Sequence, residues 1–181
     1  MSLLMTAVAL VGLLAAFDLL LTVGVIKRLR DHAALISAKV TEEAPPGLAV
    51  GAEVGSFSVT STDDEDLTEA DLDGDTLVAF FSPNCTPCKE KLPRFTAFAR
   101  EFAGGRRQVL AVIAGGAEGG ERFASELRPV ARVVREDYNG EVGAAFQARA
   151  YPTLLLVGRD EDGRLVVREN QVDLDLLPLA A

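Results

Sequence analysis

The chain has 181 residues and a mass of 19.2 kDa, room for one ordinary domain and at most an appendage. Apolar residues make up 49% and charged residues 25%, with a mean hydropathy of +0.21, so the apolar excess must be concentrated in part of the chain. The 27 acidic residues outnumber the 18 basic ones, which leaves no basic surface for a phosphate backbone and excludes nucleic acid as a partner.

The excess lies at the start. Every Lys and Arg falls at or after Lys27, and residues 1–26 carry one charge, Asp18; without them the chain has 18 basic and 26 acidic groups, net −8. From Leu3 to Ile26, 19 of 24 residues are apolar. As a helix this stretch would span about 36 Å, against a hydrocarbon core of about 30 Å. Asp18 at mid-bilayer would cost roughly 3 kcal/mol, which about fifteen apolar residues at ~0.4 kcal/mol each offset. A cleaved signal peptide fits less well, since no basic residue precedes the run and Ala7-Val8-Ala9 sits inside it. The expectation is one transmembrane helix over residues 1–26, touching lipid through residues 3–26, with Asp18 snorkelling or facing a partner helix. Lys27, Arg28 and Arg30 follow directly, and the positive-inside rule then puts the C-terminal domain in the cytoplasm.

Residues 27–49 read as a helical stalk and a Pro-rich linker. Leu29, Ala33, Ile36 and Val40 form one stripe, suited to resting on the domain or on headgroups, or to pairing with a second copy. Ala44-Pro45-Pro46-Gly47 ends the helix, and the main domain is expected over 50–181. His32, the sole histidine, lies in the stalk. Two cysteines and one distant histidine cannot close a four-ligand metal shell, and a His-assisted cysteine hydrolase is excluded with it.

In the domain, Phe57 to Ser61 alternates as a half-exposed strand, and Asp63 to Asp66 reads as an acidic turn. Leu77 to Phe81 is a continuous apolar run, the pattern of a central strand buried on both faces. A helix follows, with Leu92, Phe95, Ala99 and Phe102 on one side, stopped by Gly104-Gly105. Val109 to Ile113 is a second buried strand. The glycine-rich stretch Gly115 to Gly120 lacks a following Lys-Ser/Thr and reads as a strand-to-helix loop rather than a phosphate loop. Helix at 121–127, strand at 132–135 and helix at 142–148 come next. Strands at 153–157 and 165–168 form a hairpin around Glu161-Asp162-Gly163. This alternation is a mixed α/β layout around a sheet.

The chemistry sits where the first buried strand hands over to its helix, at Cys85-Thr86-Pro87-Cys88. Free N–H groups and the dipole of a helix start favour an anion, and Lys89 adds positive charge, so Cys85 is expected as the attacking thiolate. Cys88, one turn deeper, is placed to resolve a mixed disulfide from behind. Pro87 stiffens the turn. The plainer reading, two cysteines serving as small core residues, sits badly with their spacing and context. Tyr151-Pro152-Thr153 opens a strand about 65 residues later; with a cis bond before it, Pro152 could pack on the cysteine pair and leave the backbone of Tyr151 for an extended peptide.

This combination resembles the thioredoxin superfamily, specifically the membrane-anchored TlpA-like thiol–disulfide oxidoreductases, over residues 50–170. Its carriers are Gly55-Ser56-Phe57, the run from Thr76 to Cys88, Pro93 as the family's helix-kinking proline, and Tyr151-Pro152-Thr153. The anchor followed by Lys27-Arg28-Leu29-Arg30 is also similar to accessory proteins of methylamine dehydrogenase maturation. The resemblance implies a thioredoxin-like fold, a central mixed sheet flanked by helices. It makes Cys85 the nucleophile, Cys88 the resolving thiol and Pro152 a cis proline. Tyr151, Pro152 and Thr153 would then meet substrate, while Thr86, Pro87 and Lys89 tune the redox pair, with Thr86-Pro87 nearer the reducing branches. The implied partners are cysteine-containing proteins and an upstream redox protein, with no cofactor. The implied location is extracytoplasmic, opposite to what the basic flank predicts.

Three positions depart from the family. Asn84 stands where many relatives have tryptophan. Ala79 stands where thioredoxin has a buried aspartate, so deprotonation of Cys88 falls to another carboxylate or to water. Val172 to Ala181, interrupted by Pro178, is short for a closing helix. Ser82, three residues before Cys85, also admits a peroxiredoxin-type thiol peroxidase, and a non-catalytic peptide dock is a third reading.

Overall fold

A computed structural model describes residues 47–115 and 119–175, with Leu10 and Gly12 in isolation. The predicted anchor and stalk, the centre of the glycine-rich loop and the last six residues lie outside the described residues. Among the described residues no helix is long and apolar enough to cross a membrane.

Packing begins at Leu48, which is buried, and whose N–H donates to the carbonyl of Phe146 at 3.1 Å. A small antiparallel ribbon follows, β1 (Ser58–Thr60) paired with β2 (Asp66–Thr68). The predicted strand over 57–61 is shortened to three residues. The predicted acidic turn is narrower, because Asp66 opens β2, a strand too short and polar to announce itself. Ser61 Oγ, accepting the N–H groups of Asp63 at 3.2 Å and Glu65 at 3.1 Å, holds the turn between them.

Both apolar runs become fully buried strands, β3 (Thr76–Phe81) and β4 (Val109–Ala114). Between them lies α1 (Thr86–Glu101), and beyond β4 come α2 (Gly120–Leu127), β5 (Arg132–Glu136), α3 (Glu141–Ala145), β6 (Thr153–Arg159) and β7 (Leu165–Asn170). The five later strands form one sheet in the order β5-β4-β3-β6-β7. β3, β4 and β5 run parallel; β6 and β7 are antiparallel. The expected mixed sheet flanked by helices is present.

Each face of the sheet carries a core. On one, Phe81, Phe95, Phe123, Ala111 and Cys88 pack beneath α1 and α2. On the other, Phe80, Phe146, Leu72 and Phe57 pack together, with Phe80 and Phe146 ring centroids 5.5 Å apart. Period-two alternation explains the split, since Ala79 and Phe81 point to the first face and Val78 and Phe80 to the second.

Two helix ends differ from expectation. α1 buries Leu92, Phe95 and Ala99, but it stops at the half-buried Phe102, which turns extended (ψ 135°) and donates to Ala99 O. Gly104 and Gly105, both at positive φ, then steer the chain into β4. The helix expected over 142–148 ends at Ala145. Phe146 is fully buried and Gln147 adopts a φ of 50°, so burial of the aromatic ring overrides another helical turn. The β6–β7 hairpin matches expectation: Gly163 has a φ of 79° and Asp160 accepts the N–H groups of Asp162 and Arg164. Residues 171–175 contain no helix, and Val172 packs on the first core.

Candidate active site

The chain leaves β3 through Ser82-Pro83-Asn84 and enters α1 at Cys85, which is the N-cap of that helix. Cys85 is extended (φ −96°, ψ 118°), and its Sγ accepts the N–H of Cys88 at 3.3 Å. The residue that satisfies a free donor of the first turn is therefore a sulfur, placed where the helix favours negative charge. Its S–H donates to the carbonyl of Tyr151 at 3.2 Å. Cys85 is partly exposed and Cys88 fully buried, both as free thiols.

The Tyr151–Pro152 bond is cis. Pairing of β3 with β6 places the start of β6 beside the cysteines, with the Tyr151 carbonyl on the Cys85 sulfur. Tyr151 and Pro152 are half-buried, whereas Thr153 is fully buried, with its hydroxyl bonded to Ala150 O at 2.7 Å. Thr86, Pro87 and Lys89 lie exposed on the first turn of α1. Asn84 is exposed beside them.

Burial, then its hydrogen bond to Cys85, pushes the Cys88 thiol up to about 12; the Ser82 N–H, 3.5 Å from Cys88 Sγ, acts in the opposite direction. The groups acting on Cys88 include no carboxylate. Glu136, half-buried at the end of β5, is held up by burial, but its oxygens are engaged by the N–H groups of Val142 and Gly143 at 3.0 and 2.8 Å, where it caps α3. Burial first, and then Glu136, also raises the Tyr151 phenol.

The sign of the Cys88 shift gives two measurable consequences. Below about pH 9, its ordinary value, Cys88 is protonated in both folded and unfolded chains. Between there and about 12 the unfolded chain releases the proton and the folded one keeps it, so the reduced protein should lose stability as pH rises through that window. Because Cys88 takes up a proton on reduction throughout this range, the potential of the pair should fall by at least about 30 mV per pH unit up to pH ~12. A potential that levels off near pH 9 in glutathione-buffer equilibration would contradict the assignment.

Two participants escaped the sequence reading. Ser82 entered it only as a possible peroxidase residue, yet its N–H is the group that meets the buried sulfur. Tyr138, after β5, bonds Ser82 Oγ at 2.8 Å and sets its ring 5.9 Å from that of Tyr151. The available signal was topological: ligand and reaction sites of such sheets gather at the C-terminal ends of parallel strands, and β3, β4 and β5 lead out into Ser82, Gly115 and the Tyr138 loop.

The sequence matches the AhpC/TSA family over residues 50–167, the greater part of the chain and all of this site. The chain belongs to the AhpC/TSA family. Solved structures of the same fold include a thiol:disulfide interchange protein from Bacteroides sp., 16% identical, matched over 71% of this chain and 84% of that one with a TM-score of 0.53. A candidate thioredoxin from Neisseria meningitidis is 24% identical over 66% and 79% of the two chains, TM-score 0.51. A Sinorhizobium meliloti protein described as hypothetical is 22% identical over 65% and 68%, TM-score 0.51. At these identities the likeness is one of fold, and the fold is thioredoxin-like. No curated protein sequence matches the chain. As an AhpC/TSA member, the protein carries its cysteine pair at the strand-to-helix junction that the family's matched segment spans.

Proposed function

We propose that this protein is a thiol–disulfide oxidoreductase, held at a membrane through residues 3–26, that exchanges disulfides with cysteine-containing proteins. The supporting observation is the pairing of a partly exposed, helix-capping Cys85 with a fully buried Cys88 whose N–H reaches the Cys85 sulfur at 3.3 Å. Cys85 attacks a substrate disulfide as the thiolate and expels one substrate thiolate. Cys88 then loses its proton, attacks Cys85 Sγ and releases the second, so two electrons pass from the pair to the substrate. An upstream redox protein must restore the dithiol, and run in reverse the same steps oxidise substrate dithiols. Tyr151, whose carbonyl meets the Cys85 sulfur, and the adjoining Pro152 form the expected seat for the substrate backbone.

The peroxidase reading fares worse on geometry. Ser82 Oγ is turned to Tyr138, and Cys85 Sγ meets Cys88 N–H and Tyr151 O. Cys88→Ser should accumulate mixed disulfides on Cys85 with protein partners in cells, resolved by non-reducing gels and mass spectrometry. Peroxide consumption that needs Cys85 but ignores Cys88→Ser would instead establish the peroxidase. Recovery of methylamine dehydrogenase subunits among the trapped partners would mark a dedicated maturation factor. The family resemblance supports an extracytoplasmic domain, against the basic flank at Lys27, Arg28 and Arg30. Labelling of Cys85 in intact, mildly reduced cells by a membrane-impermeant maleimide is the expected result; protection until lysis would put the domain inside.

A further inference from the structure

Cys88 is the buried thiol of the pair, and what touches it bears on the second half of the proposed exchange. Apart from Cys85 and its own N–H, the group acting on Cys88 is the Ser82 N–H. Ser82 is itself buried and is the first residue beyond β3, and its carbonyl accepts the Cys85 N–H at 3.1 Å. Its side chain is tied elsewhere: Ser82 Oγ and Tyr138 Oη share a hydrogen bond of 2.8 Å across 56 residues of sequence.

Tyr138 is seated by the fold rather than loosely exposed. Gly115, at the end of β4, has a φ of 81°, and a Cβ there would lie 2.2 Å from Tyr138 Cζ. The phenol ring therefore rests on bare backbone, a position that only glycine leaves open. Gly115 N–H donates to Glu136 O at 2.9 Å, tying the end of β4 to the chain just before the tyrosine. The Tyr151 ring lies tilted beside it, with centroids 5.9 Å apart. Half of Tyr138 remains in solvent, 51% exposed, so burial does not account for its placement.

We propose that Tyr138 is a positioning residue for the resolving step, its hydroxyl fixing Ser82 so that the Ser82 N–H stays directed at the Cys88 sulfur. This rests on the dithiol-exchange reading above and adds to it the group that prepares Cys88. As Cys88 gives up its proton and attacks Cys85 Sγ, negative charge builds on a sulfur with no carboxylate beside it, and a held N–H stabilises that charge. The Tyr138–Ser82 hydroxyl bond does not include the Cys85 sulfur, which meets the Tyr151 carbonyl and the Cys88 N–H, so its loss is expected to spare the first attack so long as the ring at 138 stays against Tyr151.

The two halves separate with an aromatic disulfide, dithiobis-nitrobenzoate. Cys85 thiolate attacks it to give a mixed disulfide and one thionitrobenzoate. Cys88 thiolate then forms the Cys85–Cys88 disulfide and expels the second, with the Cys88 proton passing to solvent. In stopped flow, Tyr138→Phe, which keeps the ring, should leave the first release unchanged and slow the second roughly three- to tenfold, the size of one lost hydrogen bond. Ser82→Ala removes the other end of the same bond while keeping the N–H, and should slow the second release alike. The double variant should be no slower than either single. An unchanged second phase in both single variants, or equal slowing of both phases, would overturn the proposal. Failure of the wild-type protein to give two releases would instead remove the dithiol-exchange reading on which it stands.

Discussion

Cys85→Ser is expected to abolish disulfide exchange with protein substrates, by on the order of 10³-fold or more, while leaving the fold intact. Cys85 is the N-cap of α1, and serine is a better cap than cysteine, so the variant keeps the acceptor for the Cys88 N–H and loses only the nucleophile. Thermal stability of the reduced protein should be unchanged or slightly higher. Cys88→Ser should fall almost as far in steady-state turnover for a different reason, since the first bond still forms and stalls there. The double variant should be no worse than Cys85→Ser, because residues that act in sequence on one intermediate do not contribute additively. Insulin-disulfide reduction with a recycling thiol reads all three. Cys85→Ser retaining a tenth of wild-type turnover would show that another group attacks first.

The second large effect lies under the site. Phe81, the last residue of β3, is fully buried, with ring centroids 5.2 Å from Phe95 on α1 and 6.2 Å from Phe123 on α2. It is a point at which the cysteine-bearing helix α1, the helix α2 and the sheet meet. Phe81→Ala should cost about 3–5 kcal/mol, because α1 and α2 are each held by the sheet and cannot both close the cavity. Set against a total of roughly 5–15 kcal/mol for an ordinary domain, this should lower Tm by about 10–20 °C. Phe102→Ala, at the half-buried end of α1, should cost less than half as much. Equal losses at the two positions in urea unfolding would mean that the core under Phe81 relaxes far more than its three-element packing allows.

The elements visible in the sequence are those whose physics is local. β3 and β4 are continuous apolar runs of the length a doubly covered strand needs, and α1 repeats its apolar residues at helical spacing. The ribbon strand β2 was not visible, since Asp66-Leu67-Thr68 has no pattern until it meets β1. The early end of α3 depends on a distant cavity that takes Phe146, information absent from the window around it. The site divides in the same way. Cys85 and Cys88 announce themselves by spacing, and Tyr151-Pro152 by its place before a strand. Tyr138 does not, because its meeting with Ser82 depends on the strand order β5-β4-β3 and on a missing side chain at Gly115.

The sulfur that begins α1 has a consequence of a different kind. A helix ordinarily starts on an oxygen whose bonding is constant; this one starts on a sulfur, which under the proposed exchange would be thiol, thiolate or disulfide in turn. The Cys88 N–H would then face an acceptor whose strength varies with the state of the sulfur, strongest when it is anionic. That change would fall on the first turn of α1, while the later turns are anchored in the core by Leu92, Phe95 and Ala99. On the dithiol-exchange reading, chemistry at one bond would be felt first by the N–H that starts the helix, one turn away from the side chains that seat it in the core.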